Sequence, residues 1–272
     1  MSEGAHKQGF LATELGQRII SAIVMLVIVL VISWMGGWPF AILSTLLSLL
    51  LYYEWQAMVR QTPFDGPEAL LSAGFCLLLV VNLLGYLAVG LICFVMLGLL
   101  LELSTRGNEK SDIRWIGLGA LYCSIPAIAF PIIRDGGGFA LILFVFVVVW
   151  VTDIAAYFAG RYFGGAKLWP AISPKKTWSG AIGGLVFACL AAAVFCLFHT
   201  AFPMPEAIVA AAVLSIVSQL GDLFESWVKR LFAVKDSSQL IPGHGGFLDR
   251  LDGLVAAAVP MAILVALEAG QF

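Results

Sequence analysis

The chain has 272 residues, of which 61% are hydrophobic and 12% charged, with a net charge of −2 and a mean hydropathy of +0.99. Soluble globules run at about 45–50% apolar and about 25% charged residues, so this composition excludes one and marks an integral membrane protein. Backbone groups in lipid must bond within the chain, and the apolar runs are continuous over roughly 15–23 residues instead of alternating, so the spans are helices and not barrel strands.

Taken in order, residues 1–18 form a polar tail and 19–34 a first span. No small-residue cleavage site follows, so the span is read as a permanent helix and not a signal-peptide core. A second span covers 40–53, with Glu54 and Trp55 expected at the membrane interface. The run 69–103 is too long for one span at about 1.5 Å rise per residue and is divided near Asn82 to Gly85. Residues 115–133 make a fifth span interrupted by Pro126 and Pro131, and 134–138 a tight turn. Spans six to nine are expected at 139–158, 180–202, 207–227 and 247–267. The five cysteines, Cys76, Cys93, Cys123, Cys189 and Cys196, lie in these runs without a CxxC pair and read as buried small hydrophobes.

The fold class is therefore all-α: a polytopic membrane protein of about nine transmembrane helices. The chain divides into helices 1–4 (residues 1–114), helix 5 with its turn (115–138) and a C-terminal portion of helices 6–9 (139–272) with polar loops at 160–179 and 229–246. Alternation of nine spans puts fourteen of the fifteen Lys and Arg residues on one side and only Arg134 on the other. By the positive-inside rule the N-terminus and the large loops are cytoplasmic.

One polar stretch breaks the apolar pattern. Residues 221–253 hold nine of the 32 charged residues in 33 positions, between two long apolar runs. Just before and within it, Ser215, Ser218, Asp222, Ser226 and Lys229 recur every three or four residues and share a helix face. Such a stripe faces the protein interior or a water-filled cavity, because ionised groups at mid-membrane cost roughly 2.5–3.5 kcal/mol each. Asp249 and Asp252 lie three apart at the start of span nine, where the helix dipole favours negative charge. With Asp222 they make an oxygen-rich set suited to Mg²⁺.

Between the two helices runs Pro242-Gly243-His244-Gly245-Gly246, whose glycines permit close backbone approach or positive φ. Upstream, Asp153 has Tyr157 and Arg161 on its face at i+4 and i+8. Ser173 and Pro174 read as the N-cap and first residue of span seven. Lys175, Lys176, Thr177 and Ser179 then look like grips for phosphate. Carboxylates, basic groups, hydroxyls and a glycine turn on one membrane face fit phosphoryl or nucleotidyl transfer, in which catalysis is mostly positioning and charge neutralisation. No GxSxG elbow or Cys/His dyad points to acyl transfer.

The run 226–252, SWVKRLFAVKDSSQLIPGHGGFLDRLD, resembles the signature of the phosphatidate cytidylyltransferase (CDP-diacylglycerol synthase) family. The segments WVTDIAAYFAGRYFGG (150–165) and SPKKTWSG (173–180) are similar to that family too, with Ser179 standing where its pattern has Glu. The resemblance implies transfer of CMP from CTP to phosphatidic acid by a Mg²⁺-dependent, homodimeric enzyme of the cell (inner) membrane, one that also uses a monovalent cation such as K⁺. It implies a catalytic set of Asp222, Ser226, Lys229, Asp249 and Asp252, the three aspartates holding metal. Substrate contacts would come from Asp153, Lys175, Lys176, Thr177, Ser179, Arg230, Lys235, Asp236, His244, Gly245, Gly246 and Arg250. No nucleic-acid partner is expected.

Three rivals are weighed, of which a non-catalytic scaffold leaves the glycine turn at 242–246 and the paired aspartates unexplained. A CDP-alcohol phosphatidyltransferase needs an Arg after Asp252-Gly253, where this chain has Leu254-Val255-Ala256-Ala257. A cation-coupled transporter would spread charge across several helices near the midplane, whereas here most of it hugs one face.

Overall fold

The apolar runs become helices in the computed structural model, which describes residues 14–60, 66–85, 87–104, 113–199, 203–240 and 245–269. The helices are α1 (Glu14–Met35), α2 (Gly37–Val59), α3 (Gly66–Leu83), α4 (Leu87–Ser104), α5 (Ile113–Phe163), α6 (Trp178–Phe198), α7 (Met204–Leu231) and α8 (Leu248–Glu268). Between α5 and α6 lie two short strands, β1 (Lys167–Trp169) and β2 (Ser173–Thr177). Among the described residues, α2, α5, α6, α7 and α8 are each long and apolar enough to cross a membrane. The apolar parts of α1, α3 and α4 are shorter, at Ala22–Met35, Ala69–Leu83 and Gly90–Leu101.

At 51 residues α5 is more than twice the length of a span, for which about 20 residues suffice. It is two helices joined at Gly138, whose φ of 70° and ψ of −170° leave the helical region and favour a residue without Cβ. The expected turn over 134–138 thus shrinks to one residue, and the first arm stays helical to 137. Arg134 ties this arm to α1. Its Nε and Nη2 donate to the carbonyls of Ser33 and Trp34 at 2.6 and 2.9 Å, capping the otherwise unpaired end of α1.

Pro126 and Pro131 do not interrupt the first arm of α5. The missing N–H of Pro131 orphans the carbonyl four residues earlier, on Ala127. Asn82 Nδ2 of α3 donates to that carbonyl at 2.9 Å, and the Ala127 N–H donates to Ser48 Oγ of α2 at 3.0 Å. Neighbouring helices therefore supply what the prolines remove, as a membrane interior requires. The division of 69–103 falls at Leu84–Gly85, as expected, with the Gly85 N–H bonded to the Asn82 carbonyl.

The second arm of α5 packs on α6 through small residues. A Cβ added at Gly180 would stand 2.8 Å from the Ala156 carbonyl, and one at Gly184 would stand 2.9 Å from that of Thr152. Close backbone approach of this kind is how helices associate where hydrophobicity no longer discriminates. One buried cluster gathers Phe144, Leu214, Ala258 and Met261 from α5, α7 and α8. A second joins Trp55, Phe75 and Ile116 of α2, α3 and α5 to Leu248 and Val255 of α8.

Four expectations need correction. Glu54 and Trp55, expected at the membrane interface, do not face its headgroups but point into the protein and are fully buried; Trp55 Nε1 donates to the Trp115 carbonyl at 2.8 Å. Cys76 and Cys93 face outward, which an apolar thiol tolerates in lipid. Residues 173–177 are a strand, pairing antiparallel with β1 in the register Lys167↔Thr177 and Trp169↔Ser173. Consequently α6 begins at Trp178, and its N-cap is Thr177, whose Oγ1 accepts the Gly180 N–H at 3.1 Å.

Candidate active site

One cavity of about 720 Å³ collects the charged residues. The second arm of α5 contributes Asp153, Tyr157 and Arg161 on one face, β1 and β2 contribute Lys167, Lys175 and Lys176, and Thr177 closes the hairpin. From α7 come Gln219, Asp222, Glu225 and Lys229, and from the start of α8 Asp249, Arg250 and Asp252. The i, i+4, i+8 spacing on α5 puts its three polar groups in one line, and Arg161 Nη1 donates to the Tyr157 hydroxyl at 2.9 Å. Ser215 and Ser218, higher on the polar face of α7, are buried, so that stripe does face the protein interior.

Ion pairs join some of the opposite charges in the cavity. Lys176 Nζ lies 2.6 Å from Asp222 Oδ2. Lys229 Nζ bridges Glu225 Oε2 at 2.6 Å and Asp249 Oδ1 at 2.7 Å. The other oxygen of Asp249 accepts the Ser237 N–H, the Ser237 hydroxyl and the Gly246 N–H, each at 2.9 Å. Asp249 is thus committed on both oxygens, one to Lys229 of α7 and the other to the turn before α8. Asp252 Oδ1 accepts its neighbour Gly253 N–H at 2.7 Å, and its backbone carbonyl accepts the Tyr122 hydroxyl at 3.3 Å.

Not every expected residue reaches the cavity. Ser226 lies behind it, its hydroxyl 3.4 Å from Asp222 Oδ1. Ser179 donates to the Gly164 carbonyl at 2.5 Å and shares a hydrogen bond with Thr177, pinning the hairpin to the end of α5. Arg230 is exposed and does not line the cavity, donating instead to the carbonyls of Ile172 and Val234, both at 3.4 Å. Lys235 and Asp236 are exposed and away from the cavity. Gly245 takes φ of 83° beside Asp249, and Gly246 is buried against Ser237 and Glu54. Pro242, Gly243 and His244 lie outside the described residues.

Sequence reasoning missed two carboxylates. Glu225, 1% exposed, sits three residues after Asp222 and four before Lys229, a spacing that places it beside the polar stripe. Glu54 reaches the signature turn from α2. A lone acid inside an apolar run was the available signal for it.

Among the described residues, no three acidic, His or Cys side chains are close enough to enclose an ion by themselves. Asp153, Asp222, Glu225 and Asp252 nonetheless face one cavity with oxygen ligands only. That donor set fits Mg²⁺, which is held by one or two carboxylates and completed by water and substrate phosphates.

A helical, membrane-embedded protein with a charged cavity at one end of its bundle is the class these features define. The chain belongs to the cytidylyltransferase family, whose model matches residues 16–267. It is 44% identical over 265 residues to the phosphatidate cytidylyltransferase of Brucella suis, covering 94% of this chain and 95% of that one. The phosphatidate cytidylyltransferase of Bacillus subtilis is 32% identical over 265 residues, covering 93% and 98%. That of Staphylococcus haemolyticus is 34% identical over 260 residues, covering 91% and 98%.

Proposed function

We infer that this chain transfers CMP from CTP to phosphatidic acid, releasing pyrophosphate and forming CDP-diacylglycerol. The observation that carries the reading is the match along nearly the whole chain to relatives named for that reaction. The cavity supplies groups the chemistry needs. A phosphatidate oxygen attacks the α-phosphorus of CTP, the bond to the β-phosphate bridge breaks, and pyrophosphate leaves with that electron pair. The attacking phosphate monoester is already ionised near neutral pH, so no general base is required. What opposes the reaction is the approach of two anions, and fixed cations in a water-poor site lower that barrier most.

In this reading Lys175, Lys176, Lys167 and Arg161 hold phosphate oxygens at the cavity mouth. Lys229 keeps Glu225 and Asp249 in place, and Tyr157 orients Arg161. Asp222 and Asp252, with Glu225 beside them, would hold Mg²⁺, which when bound neutralises the triphosphate and stabilises the leaving pyrophosphate. A monovalent cation such as K⁺ belongs to the same proposal, as does a homodimer. The charge distribution supports nine spans, with the N-terminus and the cavity mouth on the cytoplasmic side of the cell (inner) membrane. There the soluble CTP and the lipid phosphatidate can both arrive.

The test is direct. Purified protein in detergent, given labelled CTP, phosphatidic acid and Mg²⁺, is expected to make lipid-soluble label that disappears without phosphatidate or with chelator. Absence of phosphatidate-dependent incorporation would sink the reading.

A further inference from the structure

Glu54 stands on α2, about 190 residues from the signature turn, yet among the described residues its four hydrogen bonds end there. Oε1 accepts the Phe247 N–H at 2.9 Å and the Ser238 hydroxyl at 2.5 Å. Oε2 accepts the Leu248 N–H at 2.7 Å and the Ser237 hydroxyl at 3.3 Å. The side chain is fully buried. Phe247, the N-cap of α8, provides no side-chain cap of its own. The first N–H groups of a helix need acceptors, and a negative charge there is favoured by the helix dipole. Glu54 provides both from another helix.

The contact bears on the cavity through one hydroxyl and two amides. Ser237 Oγ lies 2.9 Å from Asp249 Oδ2 and 3.3 Å from Glu54 Oε2, so the two carboxylates share its proton. The amides that Glu54 holds are those of the two residues immediately before Asp249. A Cβ at Gly246 would collide with Ser237 Oγ and stand 2.8 Å from Glu54 Oε2, so the chain passes this carboxylate only as glycine. We propose that Glu54 is a positioning residue for the cytidylyl-transfer reaction: its buried carboxylate fixes the start of α8 and the Ser237–Ser238 turn, and thereby the aim of Asp249 and Asp252 into the cavity. It touches no substrate. The proposal rests on the reading of the cavity given above, and it assigns the N-terminal helices a part in that site.

The experiment uses the full chain in detergent micelles, as wild type, Glu54→Gln and Glu54→Asp. Gln keeps the shape but turns one acceptor into a donor facing donors. Asp keeps the charge but withdraws it by about 1.5 Å, one C–C bond. Misplacement of a catalytic group by about 1 Å can cost about 100-fold in rate. Glu54→Gln is therefore expected to lower kcat by about 10- to 100-fold, with KM for CTP within about threefold, because the lysines that meet the phosphates sit on β1 and β2. Hydrogen exchange of amides 246–250 should quicken by at least about tenfold, while that of α6 stays unchanged. Glu54→Asp should show the same pattern at smaller size, and it stands in if the Gln variant does not survive purification.

Wild-type kcat in the variants overturns the proposal. So does faster exchange spread through all the helices, which would make Glu54 a general stabiliser. If the wild type itself proves inert on CTP and phosphatidate, the enzymatic reading fails first. Exchange at 246–250 then decides Glu54 separately: unchanged exchange overturns its hold on α8, and faster exchange confined there retains it.

Discussion

Lys229 is the residue whose loss the structure makes most costly. Its ammonium lies 2.6 Å from Glu225 and 2.7 Å from Asp249, and the three side chains are 12%, 1% and 10% exposed. Replacing it by Met keeps the length and apolar stem but leaves two buried carboxylates facing each other without a cation. Removing one partner of a buried ion pair costs about 3–5 kcal/mol, most of it from the stranded charge. Lys229→Met is therefore expected to destabilise the fold by about 3–5 kcal/mol, at the upper end because two charges are stranded. Because the stranded charge is the cause, adding Glu225→Gln to Lys229→Met should restore at least about 1 kcal/mol, a coupling typical of groups in contact. Equilibrium unfolding in mixed micelles, followed by circular dichroism, measures the wild type and both variants under one condition. A Lys229→Met protein within about 1 kcal/mol of wild type would refute the argument, since a buried pair cannot be broken so cheaply. A double variant weaker than the single one would refute it too.

Two further outcomes follow from the same structure. Asp249→Asn is expected nearly to abolish CTP turnover; since Asp249 accepts from Lys229, Ser237 and Gly246, that loss should come with about 1–3 kcal/mol of destabilisation. Radiolabel transfer and micellar unfolding on one preparation check both parts, and wild-type turnover would remove Asp249 from the site. Gly184→Val puts a branched side chain where a Cβ already meets the Thr152 carbonyl at 2.9 Å, and overpacking of this kind costs about 1–3 kcal/mol, read as a lower unfolding midpoint.

Much of the architecture was legible from residue order because the bilayer leaves few options. Continuous apolar runs can only be helices, and length alone showed that 69–103 must break, as it does at Gly85 between α3 and α4. The Asp153, Tyr157 and Arg161 line and the buried face of Ser215 and Ser218 followed from helical periodicity, which is local. The signature residues from Asp222 to Asp252 were visible because charge is rare in so apolar a chain.

Where the sequence misled, the missing information was a partner far along the chain. Pro126 and Pro131 read as breaks, but Ser48 and Asn82 hold the freed backbone groups. Glu54 read as an interfacial acid, but amides about 190 residues away bury it. Ser173 and Pro174 read as a helix start, but pairing with β1 makes a strand of them and passes the cap to Thr177. Sequence alone determined which residues are charged, which runs are helical and which family they resemble, all properties of local pattern. Tertiary structure alone decided which of those charges meet: Lys176 with Asp222, Lys229 with Glu225 and Asp249, Glu54 with the start of α8. Pairing distances in three dimensions have no counterpart in spacing along the chain.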